Sequence, residues 1–338
     1  MQKALILFVL LAMLVSSASG FAATAKPTAT TPGIVAVFNE VYDGNSSTVN
    51  TQFTQNYKQI DFMYIAFVHV NSTGNYNYNS AEPIGTLDWE NVTPPSTYTQ
   101  GNGRAWEQYA YKNIYTLAHA QNPNMKFIVS LGYGSTLNDL PVIEANLGTF
   151  TNSLKAFIAK QKQLGTPIDG FDIDYESPTF SSKQKFITVA TAIRKALTEQ
   201  GTIDNKHYYF TITPNNNSNL DGSTLNNVFD YVNVQSYNTP PDATVMISTF
   251  TNMGVSASKI LAGGDTQNNP TGYNTAINFY KQNNLAGVFS WIFGCIGTYH
   301  GYNNWTGTWS PDYSAVLTPM YTATHPAGSA NHSVHTAH

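Results

Sequence analysis

The sequence predicts an α/β protein of the (β/α)8 TIM-barrel class. Two observations carry that expectation: eight near-continuous apolar runs follow one another from Gly33 onward, and amphipathic stretches with helical spacing lie between them. Apolar runs without polar alternation are the pattern of parallel strands covered on both faces. An open doubly wound sheet is the competing arrangement. It normally has fewer strands, and no G-x-G-x-x-G follows the first run.

Strands are expected at 34–39, 60–70, 126–132, 168–176, 208–214, 231–238, 260–264 and 286–293. Between them, Phe150, Leu154, Phe157 and Ile158 share one helical stripe, and Phe186, Val189, Ala190, Ile193 and Leu197 share another. The second stripe opens on Ser181-x-x-Gln184, a capping box, and closes at Gly201. Ser310-Pro311-Asp312 is expected to start a last helix. Residues 71–104 read as a long loop carrying Tyr76, Tyr78, Trp89 and Tyr98. In a barrel that loop would lie on the catalytic face and help to build a groove. The seventh and eighth strands leave room between them for one helix and no inserted domain.

Outside the barrel, expected over 33–322, Lys3 precedes an apolar run from Ala4 to Val15. Ala18-Ser-Gly20 and Ala23-Thr-Ala25 then offer small-x-small cleavage patterns, so 1–25 reads as a signal peptide of a secreted protein, with an uncleaved anchor as the alternative. Residues 26–32 read as a linker. Residues 323–338, with His325, His332, His335 and His338, read as a disordered polar tail, with metal binding as the alternative. The formal charge of −4 shows no basic stripe suited to nucleic acid, and no later segment has the roughly 20 apolar residues of a membrane span. Only 11% of residues are charged while uncharged polar and aromatic residues are abundant, a composition suited to a sugar ligand. Cys295 is the single cysteine, which excludes an intrachain disulfide. Glycosylation sequons occur at Asn45, Asn71, Asn91, Asn216, Asn304 and Asn331.

Chemistry concentrates in the fourth run. Side chains alternate along a strand, so Asp172, Asp174 and Glu176 share one face and Phe171, Ile173 and Tyr175 the other. Inside a barrel the acids would form a column whose unpaired charges are costly, so protons must be shared and hydrogen bonds satisfied. Close like charges raise at least one pKa, and Glu176, last in the strand, would stand at the mouth where barrel enzymes react. A carboxyl kept protonated near neutral pH is what a general acid needs. A buried ion-pair network or a metal site is the competing reading. No nearby His or second acidic cluster completes a ligand set, so neither metal nor cofactor is expected.

Asp169-Gly-Phe-Asp-Ile-Asp-Tyr-Glu176 resembles the D-G-x-D-x-D-x-E motif of glycoside hydrolase family 18, the chitinases and endo-β-N-acetylglucosaminidases, at every fixed position. Met63-Tyr-Ile-Ala-Phe67 is similar to the family's second strand, and Ser130-Leu-Gly-Tyr-Gly134 to its S-x-G-G strand. Tyr231-Val-Asn-Val-Gln-Ser-Tyr-Asn-Thr-Pro-Pro241 resembles the sixth strand of plant-type chitinases, and Gly287-Val-Phe-Ser-Trp291 the eighth strand. The resemblance implies retaining hydrolysis of β-1,4-linked N-acetylglucosamine, with the substrate's acetamido group as nucleophile and an oxazolinium intermediate. The short connection between the seventh and eighth strands departs from chitinases that carry an inserted domain walling the cleft, so a shallower, open groove and endo-type cleavage are expected. Glu176 would then be proton donor and later base, Asp174 the acetamido clamp, and Asp172 its proton-sharing partner, with Ser130 beside it. Tyr237 would donate to the acetamido oxygen, Trp291 would floor the sugar, and Phe67 would lie on the barrel floor. Gln235 and Asn238 read either as pocket polar groups or as strand-end hydrogen bonders. Tyr133 departs from S-x-G-G, and its ring would narrow or re-floor the site. The implied partner is an N-acetylglucosamine polysaccharide or oligosaccharide, and the chain is expected to act as a monomer. An endo-β-N-acetylglucosaminidase acting on N-glycan cores is the alternative. An inactive lectin is a further one, although such proteins usually lose the Glu or an Asp that this chain keeps.

Overall fold

The computed structural model describes residues 32–40, 57–91, 93, 94, 99, 101–132, 138–237, 243–296, 308, 309 and 313–326. The chain divides into compact units at 1–30 and 31–338, and the described residues all belong to the second. The expected signal peptide and all of the linker but its last residue therefore lie outside them, as do Tyr98, Tyr133, Asn238 and 310–312.

Eight parallel strands close into a barrel: β1 (Ile34–Glu40), β2 (Phe62–Val70), β4 (Lys126–Gly132), β5 (Gly170–Tyr175), β6 (Tyr209–Pro214), β7 (Tyr231–Val234), β8 (Ile260–Asp265) and β9 (Gly287–Trp291). Neighbours pair in the order β1-β9-β8-β7-β6-β5-β4-β2, and β1 pairs back onto β2 to complete the ring. Helices α1 (Gly103–Gln121), α2 (Asp139–Ala145), α3 (Leu147–Gln163), α4 (Lys183–Asp204), α5 (Gly222–Val228), α6 (Ala243–Asn252), α7 (Gly272–Asn283) and α8 (Ser314–Thr324) follow in chain order. Between β8 and β9 stands α7 alone, so that connection holds no inserted domain.

Alternation along each strand sorts side chains into two cores. Phe171, Ile173 and Tyr175 of β5 point outward into the layer beneath the helices, where Phe150 of α3 lies 5.8 Å from Phe171 and Phe186 of α4 lies 6.2 Å from Tyr175. A separate apolar cluster fills the barrel itself, with Phe38, Phe62, Tyr64, Phe67, Ile128, Tyr209, Leu261 and Phe289 among its members. The two periodic stripes seen in the sequence are the buried faces of α3 and α4.

Several boundaries differ from expectation for physical reasons. β7 stops at Val234, four residues early, because the Ser236 hydroxyl donates to Gly263 O at 2.8 Å and accepts from Gly263 N–H at 3.0 Å, replacing the ladder with side-chain bonds. Ser182, not Ser181, caps α4 by accepting the Lys185 N–H, while Ser181 turns to Glu144. α4 runs through Gly201 to Asp204 and ends on Asn205 in the left-handed region at φ 52°. Gly201 instead permits a close return of the chain, since a Cβ there would sit 2.5 Å from Lys206 O. The last helix starts at Ser314 and reaches Thr324, so the barrel unit extends past 322. His325, expected in a disordered tail, stacks on Tyr321 with ring centroids 4.0 Å apart.

The segment 71–104 is not loop throughout. β3 (Leu87–Trp89) pairs antiparallel with the end of β2, placing His69 opposite Asp88. Trp89, expected on the groove, is 1% exposed and packs 5.4 Å from both Tyr111 and Phe157. Asn71 is buried, and its amide donates to the carbonyls of Asn79, Glu82 and Pro83, holding the turn after β2. The sequon at that position is therefore inaccessible to an oligosaccharide. Past the barrel, Cys295–Ile296 and Thr308–Trp309 form a two-residue antiparallel pair.

Candidate active site

β5 carries the acids, and β6 lies close against its start. A Cβ on Gly170 would lie 2.4 Å from Tyr209 O, so only glycine allows this spacing at the start of the strand. Asp169, just before it, is bonded to Phe127 N–H at 2.9 Å and to Lys206 Nζ at 2.9 Å, and so ties the base of β5 to its neighbours.

Asp172 is fully buried and accepts hydroxyl hydrogen bonds from Ser130 at 2.7 Å, Thr211 at 2.6 Å and Thr213 at 3.0 Å. Burial pushes its pKa up to about 6, with the three hydroxyls pulling back. Asp174, one step nearer the mouth, is held well above the ordinary Asp value, first by burial and then by the charges of Glu176 and Asp172. Its hydrogen-bond partner is the Gln235 amide at 2.7 Å, and no direct bond joins it to Asp172 in this conformation. Glu176, one residue past the end of β5, is raised by burial against the opposing hydrogen bonds of Gln235 and Asn215. Like charge thus contributes to the raised pKa at Asp174, while at Glu176 desolvation is the cause.

Gln235 links the two upper acids. Its Nε2 lies 2.7 Å from Asp174 Oδ1, 3.0 Å from Glu176 Oε1 and 3.1 Å from Thr213 O. Gln235 directly follows Val234, the last residue of β7, and its own N–H donates to Pro214 O of β6 at 3.1 Å, which fixes the side chain beside the acids.

Aromatic groups form a second part of the site. Trp291, half-buried at the end of β9, lies 6.0 Å from Phe67 at an interplanar angle of 30° and 5.7 Å from Phe38. Its indole N–H donates to Gln267 Oε1 at 3.0 Å. The Tyr237 ring sits 6.1 Å from Phe289, and its hydroxyl is raised by burial and then by the charges of Asp174, Asp265 and Glu176. Gly263 makes room for both rings, since a Cβ there would meet Phe289 at 2.5 Å and Tyr237 at 2.9 Å.

A pocket at the mouth is lined by Gly132, Asp139, Leu140, Asp174, Glu176, Ser177 and Pro178. Among the described residues, no group of three or more His, Cys, Asp or Glu side chains is arranged to hold a metal ion. The site therefore offers a carboxyl of raised pKa lining a pocket, a buried carboxyl behind it, and a cluster of aromatic rings.

Residues 40–292, more than half of the chain, match the pattern of Glycosyl hydrolases family 18. The chain belongs to this family. Chitinase A1 of Niallia circulans is 27% identical over 154 residues, covering 40% of this chain and 21% of that protein. Chitinase 1 of Aphanocladium album is 25% identical over 183 residues, covering 45% of this chain and 43% of that protein, so the chain spans less than half of either relative. Among solved structures, a GH18 chitinase from Cycas revoluta in complex with (GlcNAc)3 superposes with a TM-score of 0.60 at 14% identity, covering 86% of this chain and 99% of that one. A family 18 N-acetylglucosaminidase from Paenibacillus barengoltzii superposes with a TM-score of 0.59 at 15% identity, with coverage of 86% and 99%. A chitinase-like agglutinin from Robinia pseudoacacia gives 0.58 at 15% identity, covering 85% and 98%. At such identities these superpositions establish the fold.

Within this family 18 barrel, the structure brings together Glu176, Asp174, Asp172, Ser130 and Gln235 through hydrogen bonds, and Trp291 with Phe67 through ring packing. Asp139, Leu140, Gln267 and Gly263 were not singled out from the sequence. Asp139 opens a short helix and reads there as an ordinary first-turn acid. Only the closing of the barrel brings it to Glu176.

Proposed function

We propose that the protein is a secreted, monomeric, retaining glycosidase that cleaves β-1,4 linkages within N-acetylglucosamine polymers. The observation that carries this reading is the graded acid column: Asp172 locked by hydroxyls, Asp174 buried above it, and Glu176 raised in pKa at the pocket. Glu176 protonates the glycosidic oxygen as the C1–O bond breaks. The acetamido oxygen of the same sugar attacks C1, forming an oxazolinium ion with retention after hydrolysis. Asp174 accepts the acetamido N–H and compensates its growing positive charge, and Tyr237 donates to the acetamido oxygen. Glu176, now ionised, takes a proton from the incoming water and is restored. Trp291 supplies the flat apolar floor. The absence of an inserted domain between β8 and β9 supports an open groove and endo-type cleavage. The sugar bound by the Cycas revoluta chitinase supports the N-acetylglucosamine specificity, and the Ala4–Val15 run with its small-x-small sites supports export.

The test is to incubate the protein and its Glu176→Gln variant with N-acetylglucosamine oligomers and with a high-mannose glycoprotein. Shortened oligomers from the unmutated protein alone are expected. Release of glycans instead would identify an endo-β-N-acetylglucosaminidase, and binding of oligomers without cleavage would identify a lectin.

A further inference from the structure

The inner face of β2 continues upward past a register shift between Ala66 and Val68. Phe67 packs on Trp291, and two residues on, His69 lies 6.3 Å from Phe67, fully buried. Its Nδ1 is 2.6 Å from Asp139 Oδ2, and its Nε2 is 3.7 Å from Glu90 Oε2. The Asp139 contact is a hydrogen bond and the Glu90 contact an ion-pair distance, so a carboxylate faces each ring nitrogen and both favour the imidazolium. Burial pulls the His69 pKa down, and the charges and hydrogen bonds of Asp139 and Glu90 outweigh it, leaving it raised to about 9. The remaining charged and titratable neighbours surround Glu90. Tyr76 bonds it, Glu107 of α1 interacts with its charge, and Arg104 pairs with Asp88 at 3.3 Å.

Asp139 is the member of this array that reaches substrate space. It lines the same pocket as Glu176 and Asp174, and its Oδ1 also accepts the Val70 N–H at 3.1 Å. Each carboxylate oxygen has two acceptor positions, so two protein donors leave Asp139 able to accept more. A neutral sugar presents O–H and N–H donors, which a fixed carboxylate can bind. A buried ion array of this kind does little for stability, because desolvation cancels most of the attraction.

Resting on the proposed function, we infer that Asp139 contacts a hydroxyl or amide donor of the bound sugar, and that His69 is the positioning residue that holds it.

The test measures binding of the N-acetylglucosamine trimer in the full chain carrying Glu176→Gln, which prevents turnover, with and without Asp139→Asn. The Asn substitution keeps the shape and removes the charge. The dissociation constant should rise about tenfold, the loss expected for one hydrogen bond to a charged group. In the active protein KM should rise similarly, with kcat within threefold. His69→Gln should lose part of the same affinity, and less than additively when combined with Asp139→Asn. Should either variant fail to fold, a nitrogen-15 titration of His69 in the Glu176→Gln protein gives an independent reading. Trimer binding should shift the His69 titration, because a donor placed on Asp139 weakens its hold on the imidazolium. Affinity unchanged within twofold, or a His69 titration indifferent to the trimer, overturns the inference. If the unmutated chain binds no oligomer at all, the functional reading falls with it; if oligomers bind and Asp139→Asn has no effect, this inference falls alone.

Discussion

The two sides of the barrel interior are built from different chemistry. β1, β2, β8 and β9 contribute Phe38, Tyr64, Phe67, Leu261 and Phe289, a largely apolar wall below His69. Above Ile128 and Tyr209, β4 to β7 contribute Ser130, Asp172, Asp174, Thr211, Thr213 and Asn233, and each of these is buried. The Tyr64 hydroxyl crosses between them and donates to Asn233 Oδ1 at 3.4 Å. The difference teaches why the acids can be buried at all. The carboxyls of β5 sit where neighbouring strands supply hydroxyl and amide donors, and burial raises their pKa values.

The largest test of this division is Glu176→Gln, which removes the proton donor and keeps the shape. Turnover should fall by about 10³-fold or more, with the melting curve by circular dichroism essentially unchanged. Activity surviving that substitution would mean the polar side does not carry the chemistry.

Substitutions on the two sides should then separate stability from activity. Phe38 stacks 4.5 Å from Tyr64 and touches Phe289 and Trp291, so Phe38→Ala should cost about 3–5 kcal/mol in urea unfolding. Asp172→Ala strands the hydroxyls of Ser130, Thr211 and Thr213 and should cost less, about 2–3 kcal/mol, while lowering turnover more than Phe38→Ala does. The reverse ranking would break the comparison.

The polar side should also show in pH dependence. Asp172 has a folded pKa raised from 3.8 to about 6, so it binds its proton more tightly in the native state. Its contribution is fully present below about pH 4 and is lost as pH rises through about 6, on the order of 3 kcal/mol. Urea midpoints for the wild type and Asp172→Asn should diverge across that window. Glu176 must be protonated to act, and its pKa is raised, so the alkaline limb of kcat should lie above the ordinary Glu range. A limb near pH 4.5, the unperturbed value, would contradict the burial argument.

The smallest effect is expected from Gln267→Ala. Losing the 3.0 Å bond to the Trp291 indole should raise KM about threefold with kcat little changed, and should alter the tryptophan emission.

The eight strands were legible in the sequence because a parallel strand covered on both faces must be apolar along its whole length, and that leaves a one-dimensional trace. The alternation of Phe171, Ile173 and Tyr175 with Asp172 and Asp174 was legible for a similar reason: period two is a local property of the backbone. Strand ends were less so. β7 stops where Ser236 bonds across to Gly263, a contact with a residue 27 positions away. Trp89 read as a groove aromatic and proved to be core, because a three-residue strand buries it against helices far along the chain.

The sequence by itself determined the barrel, the inward column of acids and the family pattern around it. All of these follow from short-range periodicity and from residue types at fixed spacing. Only the tertiary structure decided which donor each acid receives, that Gln235 joins Asp174 to Glu176, and that His69 and Asp139 meet beside the pocket. The physical reason is that burial and hydrogen bonding depend on residues brought together by closure of the ring. His69 and Asp139 are 70 positions apart, and nothing local to either one marks the other as its partner.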